Sequence, residues 1–262
     1  MPQYSESNTP EQNLELLANN PYPGRLLVVG FTPETQVLAY AVMGRSDGSR
    51  NRVLTLQDNV VGTEVADYSI SAGDPELTIY DALRKVGDIE IVSNGNQTDR
   101  VVRYVRCGKT FMDAMGVTFY EPDDPNFTPR ITGFHHSDAD ENEPFFGISV
   151  ISKDPASADP VRKLYTNQTP ELGFVNNGTD AVGYCVHTYN GDGDPLPSFD
   201  DLPFRIPVQE TAFDMADMLW ETLDSDNRVA VVAKYISLSG VVAVSIRNRH
   251  DSEFNAVYED TI

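Results

Sequence analysis

The chain alternates short apolar runs with polar corners, and only a few stretches carry the 3.6-residue period of an amphipathic helix. Arg25-Leu26-Leu27-Val28-Val29-Gly30-Phe31 reads as a buried strand, Thr32-Pro33-Glu34-Thr35 as a turn, and Val37 to Met43 as a second strand, together a β-hairpin. Val53 to Leu56 and Asn59 to Val61 read as further strand segments, and Tyr80 to Val86 is short and ambiguous. Asp88 to Val92 is a strand that empties into Ser93-Asn94-Gly95-Asn96-Gln97-Thr98-Asp99, a run of small, amide and acidic side chains. Gly95 permits close backbone approach at this corner. Thr98 or Asp99 is expected to cap the helix that follows, and free N–H groups at that helix end favour an anion. An ordinary strand–turn–helix connection fits the same spacing.

Downstream, Arg100 to Met115 predicts one helix with Val101, Val102, Val105, Phe111, Met112 and Met115 as apolar positions, and Arg100, Arg103, Arg106 and Lys109 as a solvated face. Glu121-Pro122-Asp123-Asp124-Pro125 is an acidic turn, after which Thr128-Pro129-Arg130-Ile131 resumes an extended run. Phe145 to Ser152 is a strand, 153–180 a loop punctuated by Pro, Asn and Asp, and Val182 to Thr188 a strand. Thr211 to Leu223 predicts an amphipathic helix with Phe213, Ala216, Leu219, Trp220 and Leu223 on one face. Arg228 to Ile236 and Val241 to Ile246 form a strand pair, and Phe254 to Tyr258 a short last strand. Many hairpin strands with two or three substantial helices define an α+β fold with mostly antiparallel sheets. Residues 1–20 read as a flexible arm with one helical turn around Leu14, Leu16 and Leu17, and 21–262 as a single domain without repeats.

Composition narrows the functions. The 262 residues are 40% hydrophobic with 12 Phe and 12 Tyr, which fits a globular core. With 19 Lys+Arg against 40 Asp+Glu the net charge is −21, which argues against nucleic acid or an anionic membrane as partner. Residues 1–130 carry 11 basic and 18 acidic side chains and residues 131–262 carry 8 and 22, so a pocket for an anionic substrate should draw on the first half. Cys107 and Cys185 are far apart and suggest neither a disulfide framework nor a zinc site. No long apolar span occurs, and the start MPQYSESNTPEQN lacks the basic and apolar regions of a signal peptide, so a cytoplasmic protein is expected.

The candidate chemistry is that of Arg, Tyr, Asn and carboxylate groups. GxSxG, HExxH, P-loop and GxGxxG patterns are missing, and the four histidines do not space a catalytic triad. His135-His136 beside Asp138 and Asp140 would be a weak metal site, because neighbours on a strand point to opposite faces. Gly191-Asp192-Gly193-Asp194 lacks the ligand ladder of a calcium loop. No metal or cofactor is expected. Gly44 to Arg52, with Arg45, Arg50 and Arg52, is the densest basic loop of an acidic chain. Arginine, tyrosine and amide groups can hold a phosphate and polarise carbonyls unaided.

The order of these elements resembles the archaeal-type IMP cyclohydrolase family. The resemblance is carried by Tyr22-Pro23-Gly24-Arg25-Leu26-Leu27-Val28-Val29-Gly30, Ala39-Tyr40, Arg45-Ser46, Asn51-Arg52, Tyr80, Val86-Gly87-Asp88, Val92-Ser93-Asn94-Gly95, Thr98-Asp99, Asp113-Ala114-Met115-Gly116, Thr128-Pro129-Arg130-Ile131 and Phe146-Gly147-Ile148. It holds from about residue 21 to 150; the first 20 residues and the loops at 135–143 and 189–207 look like additions. It implies a four-layer αββα sandwich of the N-terminal-nucleophile-hydrolase-like kind, used without an N-terminal nucleophile. It also implies purine-nucleotide chemistry: closure of 5-formamidoimidazole-4-carboxamide ribonucleotide to IMP with loss of water in purine biosynthesis.

On that resemblance Tyr80 matches an active-site tyrosine and is the candidate for proton transfer or oxyanion contact, with Arg45, Asn94 and Glu121 as further catalytic candidates. Arg25, Arg52, Asn51, Gly95, Thr98 and Asp99 are expected to bind substrate: the arginines through phosphate or carbonyl oxygens, Asn94 and Gly95 facing the base. Each also has an ordinary structural use. Tyr40 and Tyr80 fit a core, Arg25 can pair with a carboxylate inside the sheet, Arg130 can pair with the acidic turn, and Thr98 and Asp99 can simply start a helix. A homo-oligomer is compatible with so many strand edges. The competing functions are another amide or cyclic-amide hydrolase on the same fold and a purine-nucleotide-binding protein without turnover.

Overall fold

The computed structural model describes residues 4–5, 7–70, 74–137, 145–167, 181–237, 239–251 and 255–261. At its centre is the hairpin of β1 (Arg25–Phe31) and β2 (Thr35–Met43), in which Leu27 stands opposite Tyr40. Both strands are apolar along nearly their whole length because both faces are covered. With β10 (Val182–His187), β11 (Phe204–Ile206), β12 (Arg228–Ser237), β13 (Val241–Asn248) and β14 (Asn255–Thr261) they form a seven-stranded sheet, ordered β11-β10-β1-β2-β12-β13-β14.

The chain between β2 and β10 builds the second sheet as one uninterrupted meander. Its strands β3 (Arg52–Gln57), β4 (Val60–Val65), β5 (Asp81–Val86), β6 (Ile89–Ser93), β7 (Arg130–His136), β8 (Phe145–Lys153) and β9 (Pro160–Thr166) lie side by side in sequence order. Every pairing in both sheets is antiparallel. The sheets meet where β1 and β2 cross β6, β7 and β8; the side chains of Leu27 and Val29 reach β7 at Gly133. Helix α6 (Ala212–Thr222) lies on β2, β12 and β13, and α1 (Pro10–Ala18) on β11 and α6. Helix α4 (Gln97–Arg106) covers β5 and β6, with α5 (Phe111–Gly116) beside it. Two short helices, α2 (Asp47–Arg50) and α3 (Pro75–Thr78), sit in the loops before β3 and β5. The described residues therefore form a mixed α+β structure of two antiparallel sheets and six helices, in agreement with the apolar pattern.

Several expectations are corrected. The described residues among the first 20 are not a loose arm: Thr9 and Gln12 make a reciprocal capping box for α1, Leu17 is fully buried, and Tyr4 stacks on Phe204 at 3.7 Å. The helix read over 100–115 is two, because α4 closes with Gly108 N–H on Val105 O and Lys109 N–H on Tyr104 O, a Schellman end, and Thr110 then caps α5. In α6 the buried stripe is Ala212, Met215, Ala216, Leu219 and Trp220, and Phe213 is exposed. Strand β9 lies in a stretch read as loop; it is an edge strand opened by Pro160 and carrying Arg162 and Lys163, devices that protect an edge and erase the alternation.

The space between the sheets is not wholly apolar. Lys234 Nζ of β12 donates to Glu90 Oε2 of β6 at 2.7 Å, with both side chains 3% exposed. His135 of β7 is buried beside the Val37 carbonyl at 3.3 Å, and burial lowers its pKa to about 4. His136 takes the other side of the strand, and the Asp138 and Asp140 of the weak metal reading lie outside the described residues. Among the described residues no helix is long and apolar enough to cross a membrane.

Candidate functional site

The polar residues singled out in the sequence converge at the end of the inter-sheet space where β1 begins. Arg25 opens β1, two residues before Leu27, and so shares the face that meets the second sheet. Tyr40, opposite Leu27, lies on the same face, and its hydroxyl is 2.6 Å from that of Tyr80, the residue before β5. The Tyr80 backbone is pinned by Thr63, whose Oγ1 accepts from its N–H at 2.9 Å.

Below these phenols lies Glu121, 1% exposed, with Oε2 3.6 Å from Arg25 Nη2 and Oε1 3.4 Å from Arg130 Nη1. Arg130 is the first residue of β7, and Gln97 Oε1 accepts from its Nη1 at 2.8 Å. Arg52, the first residue of β3, is 2% exposed and donates to Ser49 O at 2.9 Å and Met43 O at 3.2 Å. Two guanidinium groups thus flank one fully buried carboxylate, and the third, Arg52, acts on it electrostatically.

Burial pulls the Arg25 guanidinium down, yet Glu121, followed by the phenols of Tyr80, Tyr189 and Tyr40, leaves it well above the ordinary arginine value. Burial pushes the Glu121 carboxyl up against the opposing pull of Arg25, Arg130 and Arg52. Arg130 is lowered by burial, with Glu121 acting in the other direction. Tyr40 is held well above the usual phenol range, first by burial and then by Tyr80, so it stays a neutral hydroxyl. Arg25 Nε, Arg52 Nη1 and Glu121 Oε1 are buried and have no hydrogen-bond partner among the described residues. Unmade hydrogen bonds of this kind cost about 1–3 kcal/mol each.

The remaining expected residues fall elsewhere. Asn94 is fully buried and works on the scaffold: Nδ2 donates to Pro129 O at 2.8 Å, while Oδ1 accepts from Ile131 N–H and Gln97 Nε2, both at 2.9 Å. Gly95 is covered by Arg130, whose Nη1 would lie 1.7 Å from a Cβ at that position. The corner that was expected to face a ligand therefore seats Arg130. Thr98 is buried and donates to Asp81 O at 2.7 Å, and Asp99 points outward to Arg84 at 3.4 Å. Neither caps α4; its N-cap is Asn96, without a side-chain bond. Asn51 spends its amide on Asp67 O at 2.8 Å and Ile70 O at 2.9 Å, tying down the loop after β4. Arg45 lies at the rim, 39% exposed, paired with Asp192 and 5.0 Å above the Tyr22 ring.

Two partners were missed. Tyr189 lies two residues past the end of β10, stacks on Tyr22 at 6.0 Å and reaches the Arg25–Glu121 pair electrostatically. Its only sequence signal is its place one residue beyond a strand end, in a stretch that looks like an addition. Gln97 looked like part of a polar corner, yet it is the clamp for Arg130.

At this end of the inter-sheet crevice the Arg25–Glu121–Arg130 cluster, with Arg52 close by and the paired phenols of Tyr40 and Tyr80, brings together groups of the kind that bind anionic, hydrogen-bonding molecules. Residues 22–240 match the family described as IMP cyclohydrolase-like protein, and the chain belongs to that family. It is 34% identical over 223 residues to an IMP cyclohydrolase from Methanocaldococcus jannaschii, covering 84% of this chain and 96% of that protein. An IMP cyclohydrolase from Methanococcus maripaludis (strain C7) is 36% identical over 116 residues, and one from Methanothrix thermoacetophila 33% over 116 residues. These two matches span 42% and 43% of this chain and little more than half, 56%, of each relative.

Proposed function

We propose that the crevice closes 5-formamidoimidazole-4-carboxamide ribonucleotide to IMP with loss of water. The carrying observation is buried Glu121 flanked by Arg25 and Arg130, with Arg52 acting on it electrostatically and the Tyr40 and Tyr80 hydroxyls joined nearby, in a chain of this family. The carboxamide nitrogen is a weak nucleophile, so much of the rate comes from holding it against the formyl carbon. The Tyr80 hydroxyl, backed by Tyr40, donates to the formyl oxygen as the C–N bond forms and the carbonyl electron pair moves onto oxygen. Arg25, fixed by Glu121, polarises a carbonyl oxygen. Arg52 and the rim residue Arg45 offer positive charge to the 5′-phosphate, for which Arg45 exchanges its surface partner Asp192. Asn94, Gly95 and Gln97 act through Arg130.

The placement of α1 and α6 on one sheet and α4 and α5 on the other supports reading residues 21–262 as one four-layer αββα domain of the N-terminal-nucleophile-hydrolase-like kind. Helix α1 and Tyr4 then act as an accessory segment packed on β11 and α6.

Purified protein mixed with the formamido ribonucleotide is expected to accelerate IMP formation, followed by absorbance. The Tyr80→Phe variant should lower kcat about a hundred-fold, the lower end of what general acid catalysis contributes. IMP binding without any acceleration would make the chain a nucleotide-binding protein instead.

A further inference from the structure

Outside the residues already assigned a role, one hydrogen-bonded chain leads from the crevice to its acidic rim. The Tyr189 hydroxyl is bonded to Thr128 Oγ1, and Thr128 Oγ1 is bonded in turn to Asp123 Oδ2. The second carboxylate oxygen, Asp123 Oδ1, accepts from the Thr128 backbone N–H at 2.7 Å, which fixes the carboxylate against the threonine. Tyr189 and Thr128 are buried, whereas Asp123 is half-buried and meets solvent.

The direction of these bonds is fixed by counting protons. Threonine has one hydroxyl proton, and an ionised carboxylate can only accept, so Thr128 donates to Asp123. Tyr189 must then donate to Thr128. The phenol oxygen of Tyr189 is left with its lone pairs free to accept from a donor inside the crevice. Tyr80 has the opposite character in the proposed reaction, donating to an oxygen.

The fold builds this chain from two separated segments and braces it on a third, the start of β1. Thr188 Oγ1 accepts from Arg25 N–H at 3.1 Å, which places Tyr189 level with Gly24 across the β1–β10 pairing. Gly24 has φ +78°, and a Cβ there would lie 2.5 Å from Tyr189 Cδ2, so only glycine lets the ring lie flat against the chain that delivers Arg25. Glu121 N–H donates to Thr128 O at 2.9 Å, so the loop that carries Asp123 is closed on the residue that pairs with Arg25. Burial, with Arg25 and the Thr128 bond opposing it, pushes the Tyr189 phenol up to about 12, so it stands protonated and passes a proton rather than storing a negative charge.

Resting on the cyclohydrolase reading of the crevice, we infer that Tyr189, Thr128 and Asp123 form the proton exit for the nucleophilic nitrogen. As the carboxamide nitrogen attacks the formyl carbon, its N–H proton passes to Tyr189 Oη. The Tyr189 proton moves to Thr128 Oγ1, and the Thr128 proton moves to Asp123 Oδ2. The formyl oxygen takes its proton from Tyr80, giving the cyclic carbinolamine. The C–O bond then breaks and the hydroxyl leaves as water with the proton from the second ring nitrogen, whose electron pair forms the C=N bond. Asp123 discharges to solvent and Tyr80 is reprotonated from it, so no proton is gained or lost over the cycle.

Tyr189 is the catalytic member, and Thr128 and Asp123 position and drain it. The test compares Thr128→Val with Thr128→Ser, followed by Tyr189→Phe and Asp123→Asn, reading kcat, IMP Kd and the solvent deuterium isotope effect. T128V and Y189F are expected to lose about a hundred-fold in kcat while IMP Kd moves less than about three-fold, as for loss of a general base. T128S, which keeps the hydroxyl, should retain at least ten times the turnover of T128V. A curved proton inventory in the wild type should become linear in D123N. Equal turnover of T128V and T128S, with an active wild type, overturns the relay and leaves the reading of the crevice standing. A wild type that binds IMP but forms none from the formamido ribonucleotide removes both.

Discussion

Gly95 shows how a single missing Cβ can decide a site. The Arg130 guanidinium rests on its Cα, held by Gln97 Oε1 on one side and facing Glu121 on the other. A methyl group at 95 cannot be absorbed by a flexible chain end, because Arg130 is buried and already bonded. Gly95→Ala is therefore expected to push Arg130 off Glu121 and to weaken IMP binding at least ten-fold, about 1.4 kcal/mol, with thermal unfolding altered by a few degrees only. Calorimetric titration with IMP measures the first and a melting scan the second; unchanged affinity would mean that Arg130 does not form the anion site. Arg45→Ala provides the contrast at the rim. Its pair with Asp192 is half-exposed, so its removal should cost little stability. It should weaken IMP but leave binding of the phosphate-free nucleoside unchanged.

At the scale of elements, the strand ends carry the chemistry and the strand centres carry the fold. Arg25, Arg52 and Arg130 are each the first residue of a strand, and Tyr80 and Tyr189 flank β5 and β10. That arrangement explains what could be read from the sequence. Apolar runs mark β1, β2, β8 and β12 clearly because both faces are covered. The side chains that converge at their ends come from separate hairpins, and no spacing along the chain expresses that. Asn94 and Thr98 looked like ligand groups because their residue types suit either job, and only the bonds to Pro129, Ile131 and Asp81 assign them to scaffolding. Tyr189 did not stand out because its partner Thr128 lies 61 residues earlier in the chain and Asp123 earlier still.

The same scale has a structural test. Lys234 and Glu90 bridge β12 and β6 in the dry space between the sheets. Replacing Lys234 by Met alone leaves a buried carboxylate unpaired and is expected to destabilise the protein by about 3–5 kcal/mol. The Lys234→Met, Glu90→Leu double variant should recover most of that loss, since an apolar pair of similar volume avoids the desolvation of both charges. Urea unfolding of the two variants decides it; a double variant no more stable than the single one would show that the ion pair itself holds the sheets together.

For the whole molecule, two buried imidazoles couple folding to acid. His135 lies between the sheets, and His187 sits among Tyr4, Phe199 and Phe204, with its Nε2 3.1 Å from the Tyr4 hydroxyl. Burial lowers their pKa values to about 4 and about 3. An unfolded histidine takes up its proton near pH 6.5 and these two do not, so between those limits the unfolded state binds more protons. Their contribution is fully present above about pH 6.5 and is lost as the pH falls towards the folded values. Each adds a slope of up to about 1.4 kcal/mol per pH unit to the unfolding free energy in that window. The packing of His187 depends on Tyr4, a residue of the segment that the sequence presented as a loose arm. Tyr4→Ala should open this cage, raise the His187 pKa towards its ordinary value and flatten the pH dependence between pH 6.5 and 4 by close to one proton. Histidine titration by NMR reads the shift directly, and urea unfolding at several pH values reads the slope. An unchanged His187 titration in Y4A would show that Phe199 and Phe204 keep the imidazole buried without Tyr4.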